Sequence, residues 1–256
     1  MSTTPRAAGR DPTAAIRGLE ERAINAWPAL ETVLADGWVL RFANGYTKRA
    51  NSVNALTPAV PVEVAIPTFA PIYARRGLPL IFRLSPLAGP NADPALAAKG
   101  FRHADDTIVM TAPIDASIDL DGDMLIEAQP SPAWRDGFSD ANRVPQAHQA
   151  THDRMLSAIR FPVAFASLHS DGIPIAWGIA VAERGMVGLF DIVTLPGARR
   201  QGAGRRLVQS LLAWGCSQSA TQSYLQVVAS NAPAIALYRQ LGFSEAYRYH
   251  YRIPPF

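Results

Sequence analysis

Thr194-Leu-Pro-Gly-Ala-Arg199-Arg200-Gln201-Gly202-Ala203-Gly204-Arg205-Arg206-Leu207-Val208-Gln-Ser-Leu211-Leu212 joins two different patterns. Before it, Met186 to Thr194 is rich in β-branched and aromatic residues and predicts a strand. After it, Leu207, Val208, Leu211 and Leu212 recur at helical spacing. A strand, a glycine-bearing loop and a helix start together offer several backbone N–H groups to an anion. Gly202 and Gly204 lack a Cβ, so the main chain there can approach a phosphate closely and take up φ > 0. Arg199, Arg200, Arg205 and Arg206 place positive charge at the same mouth, with the sign of the helix dipole. The loop has neither the Gly-Lys-Ser/Thr ending of a P-loop nor the third glycine of a dinucleotide fingerprint.

The pattern resembles the Arg/Gln-x-x-Gly-x-Gly/Ala motif of the GCN5-related N-acetyltransferases (GNAT superfamily), carried here by Arg199, Gly202 and Gly204. A second stretch, Asn231-Ala-Pro-Ala234-Ile-Ala-Leu237-Tyr238-Arg-Gln-Leu-Gly242-Phe243, is similar to the family's Asn-x-x-Ala-x-x-Leu-Tyr-x-x-x-Gly-Phe segment. The resemblance implies that acetyl-CoA is the co-substrate. Its pyrophosphate would be held by Arg199, Arg200, Gln201, Gly202, Ala203, Gly204 and Arg205, and its pantetheine arm touched by Asn231. It also implies a backbone N–H from Val193 or Thr194 for the thioester oxygen, and no metal.

Whole-chain properties narrow the alternatives. Apolar residues make up 48% of the 256, enough for one large core or two ordinary ones. A net charge of +3 is too small to argue for nucleic acid. The single cysteine, Cys216, excludes an internal disulfide. No apolar run approaches a membrane span and no signal-type apolar core opens the chain, so a cytoplasmic protein without a membrane partner is expected.

Residues 1–12 read as a flexible terminus. Helices are predicted over Thr13–Ala26, Ile66–Arg76 and Asp93–Lys99, and strands over Leu78–Leu84 and Thr107–Thr111. A hairpin is predicted about Asn44-Gly45, the dipeptide favoured by type I′ turns. Residues 113–123 read as a solvated linker, since Asp119, Asp121 and Gly122 lack the remaining ligands of a calcium loop. Beyond it come helical material from Ala133 to Arg160, three strands (Val163–Leu168, Ile173–Ala182, Met186–Thr194), the glycine loop with its helix, the strand Ser223–Val228, the helix Asn231–Gln240 and the strand Tyr247–Arg252. That order matches a GNAT domain. Superposing Gly100-Phe101 on Gly242-Phe243 aligns the elements of the two halves, Thr107 falling on Tyr249. The expected fold is therefore α/β: two GNAT-like units, 13–112 degenerate and 124–256 catalytic, each a mixed, mostly antiparallel sheet flanked by helices.

Acetyl transfer needs a proton donor for the departing thiolate and an acceptor for the amine proton. Tyr238, two helical turns beyond Asn231, is the expected general acid. Asp191, on the strand entering the loop, is the expected base, with His148, His152, His169 and His250 unranked beside it. Asn231 also reads as an N-cap and Tyr238 as a buried packing residue. Trp134, Phe138 and Trp177 read either as lining of an acceptor pocket or as core, the core being favoured. The first half has Leu96 in place of Tyr238, and its corresponding connection has Pro58 and Pro61 and no glycine. Arg49-Ala-Asn51-Ser52, on the corresponding hairpin strand, reads either as a polar cluster that reaches the acceptor site from across the interface or as hydrogen-bonded structure, the second slightly favoured. The expectation is an acetyl-CoA-dependent N-acetyltransferase, monomer or homodimer, acting on a small-molecule or peptide amine by direct attack. The competing expectation is a non-catalytic acyl-CoA-binding scaffold or sensor, for which a proton donor at position 238 has no use.

Overall fold

The computed structural model describes residues 12–255, so the terminus expected over 1–12 lies, Pro12 excepted, outside the described residues. The first half runs α1 (Pro12–Ala26), β1 (Glu31–Ala35), β2 (Trp38–Phe42), β3 (Val53–Ala55), α2 (Val62–Ala74), β4 (Phe82–Leu84), α3 (Ala92–Ala98) and β5 (Arg102–Pro113). The second runs β6 (Met124–Glu127), α4 (Pro132–Asn142), α5 (Gln146–Ser157), β7 (Val163–Ser170), β8 (Ile173–Glu183), β9 (Met186–Thr194), α6 (Ala203–Ser217), β10 (Gln222–Val228), α7 (Ala232–Gln240) and β11 (Ser244–Ile253). The fold is α/β, as expected, with mixed and mostly antiparallel pairing. β3–β4 and β9–β10 are the parallel pairs, each joined through a helical crossover.

All eleven strands form one sheet, ordered β1-β2-β3-β4-β11-β5-β10-β9-β8-β7-β6. The two halves exchange their last strands. β5 of the first half lies against β10, β11 of the second lies against β4, and the two pair antiparallel at the centre. Thr107 and Tyr249, equivalent under the Gly-Phe superposition, are register partners there. An approximate two-fold axis therefore passes through that pair.

The Asn44-Gly45 turn forms, with φ of 49° and 76° and a 2.9 Å bond from the Tyr46 N–H to Ala43 O. It does not continue as a hairpin. Thr47 (φ 57°) turns the chain into a 3₁₀ turn over Lys48–Ala50. The Asn51 side chain holds this detour, accepting from Ala43 and Gly45 N–H (2.7 and 3.0 Å) and donating to Tyr46 and Thr47 O (2.7 and 2.9 Å). The two-residue hairpin is one turn earlier, at Asp36-Gly37 (φ 48° and 77°), where Ala35 faces Trp38. A Cβ on Gly37 would lie 1.8 Å from Thr57 O, so only glycine fits.

Each half has its own core. Leu40, Phe69, Tyr73, Phe82 and Leu96 fill the first; Leu207, Val208, Leu211 and Leu212 of α6 pack on Ala180 and Leu189 in the second. A third cluster is shared: Leu19, Ala23 and Trp27 meet Phe138, Met155, Phe165 and Tyr249. Trp134 and Trp177 are buried in it too, as expected. Beside it, α1 carries a buried carboxylate, Glu20. It pairs with Arg83 and accepts from the Tyr247 hydroxyl at 2.5 Å, tying α1 and β4 to the exchanged strand β11. Segment 113–123 is less free than a solvated linker. Asp121 and Asp123 take the Arg206 guanidinium at 2.7 and 2.6 Å.

Candidate active site

β9 and β10 pair only from Met186↔Gln222 to Leu189↔Leu225. Beyond that β9 bulges. Trp177 faces Val193 and Ile179 faces Phe190, so Asp191 and Ile192 stand opposite Gly178 alone, and Asp191 has φ of 51°. A Cβ on Gly178 would lie 2.6 Å from Ile192 Cδ1, which makes glycine part of the bulge. The strands part here around a cavity of about 480 Å³. Leu189 to Ile192, Gln226 to Val228 and α7 form one wall; the 3₁₀ turn at Thr47–Arg49, β5 and β11 form the other. The cavity is thus built by both halves.

Asp191 and Tyr238 both line this cavity. Asp191 Oδ2 is buried without a hydrogen bond, 3.6 Å from His152 Nε2, which is also buried and unpartnered. Arg49 Nη2 lies 3.6 Å from Asp191 Oδ1. The His152 ring sits among Trp27, Tyr46 and Phe138, at centroid distances of 5.3–5.8 Å. Burial, then the Asp191 carboxylate, push the Tyr46 hydroxyl well above its ordinary pKa. Among the histidines, His152 alone reaches Asp191. His148 packs at a tilt against Tyr46, His169 bonds to Ser167, and His250 bonds to Asp93. Asp93, His103 and His250 cluster elsewhere, with both Asp93 oxygens on Arg252.

Tyr238 is buried and packs edge-on against Phe243 at 5.9 Å. Burial raises its pKa to about 12. No hydrogen bond to another described residue occupies its hydroxyl, unlike Tyr247 or Tyr249, whose hydroxyls bond Glu20 and Gln226. Asn231 caps α7, its Oδ1 accepting from Ala234 N–H at 3.2 Å, and it also lines the cavity. The N-cap reading of Asn231 is therefore observed.

The glycine loop caps α6. Gly202 is the N-cap at φ 85°, and the first helical bond runs from Arg206 N–H to its carbonyl. The N–H groups of Ala203, Gly204 and Arg205 consequently have no acceptor within the helix. Arg199 and Arg200 are exposed around them, and Arg205 is half-buried with one Nη2 bond to Gln240 at 2.6 Å. Arg199 Nε also donates to Thr194 O and Gln201 Nε2 to Gly197 O, so two of the expected contact residues brace the loop. Two expectations change. Arg206 turns away to Asp121 and Asp123 and leaves the mouth. Gly204 sits in the first helical turn without positive φ; a Cβ there would meet Leu237 at 3.4 Å and Thr194 at 3.6 Å, so its smallness serves close approach. The residues present fit a pyrophosphate: unpaired amides, a φ > 0 cap and exposed guanidinium groups.

Val193 and Thr194 lie between bulge and loop. Leu195 N–H bonds Ile175 O at 2.9 Å, and Val193 and Thr194 continue that register against Trp177 and Ala176. Antiparallel alternation then turns Val193 N–H to β8 and Thr194 N–H toward the β10 side.

Residues 13–252 match the family described as "Probable histone acetyltransferase Rv0428c C-terminal". The chain belongs to that family. A similar curated relative is "Uncharacterized N-acetyltransferase YobR" of Bacillus subtilis, 29% identical over 245 residues, 93% of this chain and 98% of that one. Among solved structures, a GCN5-related N-acetyltransferase from Kribbella flavida covers 95% of this chain and 96% of its own, with TM-score 0.68 and 17% identity. A tandem GNAT protein from the clavulanic acid biosynthesis pathway covers 97% and 89%, with TM-score 0.60 and 14% identity. The likeness to these structures is one of fold. This member of the Rv0428c C-terminal family is thus a GNAT-type N-acetyltransferase, and no helix among its described residues is long and apolar enough to cross a membrane.

Of the residues singled out from sequence, Asp191, Asn231 and Tyr238 line the cavity, whereas Val193, Thr194 and the loop 199–205 are not among its lining residues. His152, unranked among four histidines, is the one brought against Asp191, and Arg49, from the cluster with two open readings, lines the cavity. Asn51 is hydrogen-bonded structure, and Arg49 lines the cavity. The 3₁₀ turn separates their roles.

Proposed function

We propose that the protein transfers an acetyl group from acetyl-CoA to an amine by direct attack, within the cleft between β9 and β10. The observation that carries this is the meeting of Asp191 and Tyr238 on one cavity; Gly204, in the first turn of α6, packs close to Leu237, the neighbour of Tyr238 on α7. Acetyl-CoA, when bound, supplies the activated thioester. The first-turn amides of α6, with Arg199, Arg200 and Arg205, hold its pyrophosphate, and Asn231 contacts the arm that leads to the cavity. Thr194 N–H is the donor left for the thioester oxygen. The Asp191 carboxylate takes the proton from the attacking amine, and the Tyr238 hydroxyl gives its proton to the departing sulfur. A hydroxyl whose pKa lies near 12 stays protonated at neutral pH, as a donor must. Cys216, the only cysteine, is on α6 and not among the cavity residues, which favours direct attack over a cysteine acyl-enzyme.

The test is an acceptor screen with acetyl-CoA and released thiol as the readout. Amine-dependent thiol release is expected. Stoichiometric acetyl-CoA binding with no thiol release from any amine would make the protein a CoA-binding module.

A further inference from the structure

The far wall of the cavity comes from the first half, and its charges restrict the acceptor. Lys48 and Arg49 stand on the 3₁₀ turn, Asp105 on β5, and all three line the cavity. Lys48 is already committed, its Nζ 2.7 Å from Asp105 Oδ2. Arg49 is not. Its guanidinium lies 4.6 Å from the Trp27 ring and 3.6 Å from Asp191 Oδ1, yet none of its N–H groups makes a hydrogen bond to another described residue. The backbone beneath it is fixed, because Arg49 O accepts from Arg41 Nη1 at 2.6 Å and Asn51 holds the turn. Stacking on Trp27 fixes the side chain without using its donors.

A guanidinium with unspent donors, on a side chain that is 25% exposed, is matched by a carboxylate, which takes two N–H groups at once. A second, independent observation marks the same place. Asp191 Oδ2 and His152 Nε2 are buried, unpartnered and adjacent, with side-chain exposures of 9% and 2%. Cation and anion here are 3.6 Å apart, so a ligand answering both must carry opposite charges on neighbouring atoms.

We propose that the acceptor is a free amino acid, its carboxylate held by Arg49 of the first half and its amine presented to Asp191 of the second. This rests on the acetyl-transfer reading above. It explains why the degenerate half is retained at the cleft: it reads the acceptor. A polycationic acceptor would meet Lys48 and Arg49 with only one uncommitted carboxylate opposite. The N-terminus of a polypeptide would bring a neutral amide to Arg49 and forgo the charge-assisted, two-bond pair that a carboxylate makes.

The test compares proteinogenic amino acids with their α-carboxamides, which lack only the anionic oxygen. Thiol release with acetyl-CoA is measured for the wild type, Arg49→Lys and Arg49→Ala. Calorimetric binding of the same compounds to the CoA-loaded protein is measured alongside. At least one acid should exceed its amide in kcat/KM by roughly 10–100-fold, the range of a lost charge-assisted bond. Arg49→Ala should abolish that preference and Arg49→Lys should restore part of it. Acids and amides turned over equally by the wild type would overturn the carboxylate subsite and leave the acetyl-transfer reading standing. Selective binding of acids without thiol release would uphold the subsite and overturn that reading. Neither binding nor turnover of any acid would overturn the proposal outright.

Discussion

Asp191 Oδ2 and His152 Nε2 face each other across 3.6 Å, both buried and neither hydrogen-bonded. Asp191 is held there by a backbone strained to φ 51° at the β9 bulge, and His152 by three aromatic rings. Strain of this kind persists where the surrounding structure over-determines it, and it clusters at functional sites. Asp191→Asn should therefore lower kcat/KM by roughly 10²–10⁴-fold. A kcat/KM within a few-fold of wild type, measured in the variant, would move the base to His152 or to a water chain.

The loop yields a paired prediction. Gly202 has φ 85° and open space where a Cβ would point, so Gly202→Val strains the cap without a clash. Acetyl-CoA binding, read by calorimetry, should be lost while the unfolding transition stays cooperative. Arg206→Ala should leave the affinity close to wild type, because Arg206 is engaged by Asp121 and Asp123. The wild-type titration should show a single site per chain, since the first half has neither the glycine cap nor a tyrosine at Leu96. Two sites, or an Arg206 effect as large as that of Gly202, would contradict this assignment.

The two halves should not separate. Both sheet partners of β11, β4 and β5, belong to the first half, and β10 also pairs with β5. Residues 124–256 expressed alone would expose the paired edges of β10 and β11, with the apolar surface beneath them. Such a fragment should aggregate, as followed by size-exclusion chromatography. A soluble monomer with a cooperative transition would show the exchange to be dispensable.

How much of this was legible from sequence follows from range. Asn231, its cap bond to Ala234, and the loop into α6 are local, and each was read from a handful of adjacent residues. The order of elements in the second half was readable for the same reason. The strand exchange was not, because the pattern of Thr107–Thr111 says that it is a strand but not which strand it joins. β1, β3 and β6 escaped because they are three to five residues long, and β1 alternates little burial along an exposed edge. Asn44-Gly45 was read correctly as a turn and wrongly as a hairpin, since Thr47 and the Asn51 side chain redirect the chain. For Arg49 the sequence left two readings open, and its place on the cavity wall rests on contacts with Asp191 and Trp27, each distant in sequence.

The shared core depends on one buried ion pair. Glu20→Ala would leave the Arg83 guanidinium buried without its carboxylate and the Tyr247 hydroxyl without an acceptor. A loss of about 3–5 kcal/mol is expected, measured by urea unfolding. A change below about 1 kcal/mol would mean that water replaces the pair.

The account stands most directly on Tyr238. Tyr238→Phe keeps the ring against Phe243 and removes only the hydroxyl. Because burial sets its pKa near 12, Tyr238 should remain protonated well above neutral pH and contribute no basic limb below about 11. Single-turnover rates for wild type and Tyr238→Phe, with acetyl-CoA affinity measured on the same samples, separate chemistry from binding. The prediction is a rate lowered by roughly ten-fold or more with affinity unchanged; an unchanged single-turnover rate would contradict it and leave Tyr238 a packing residue.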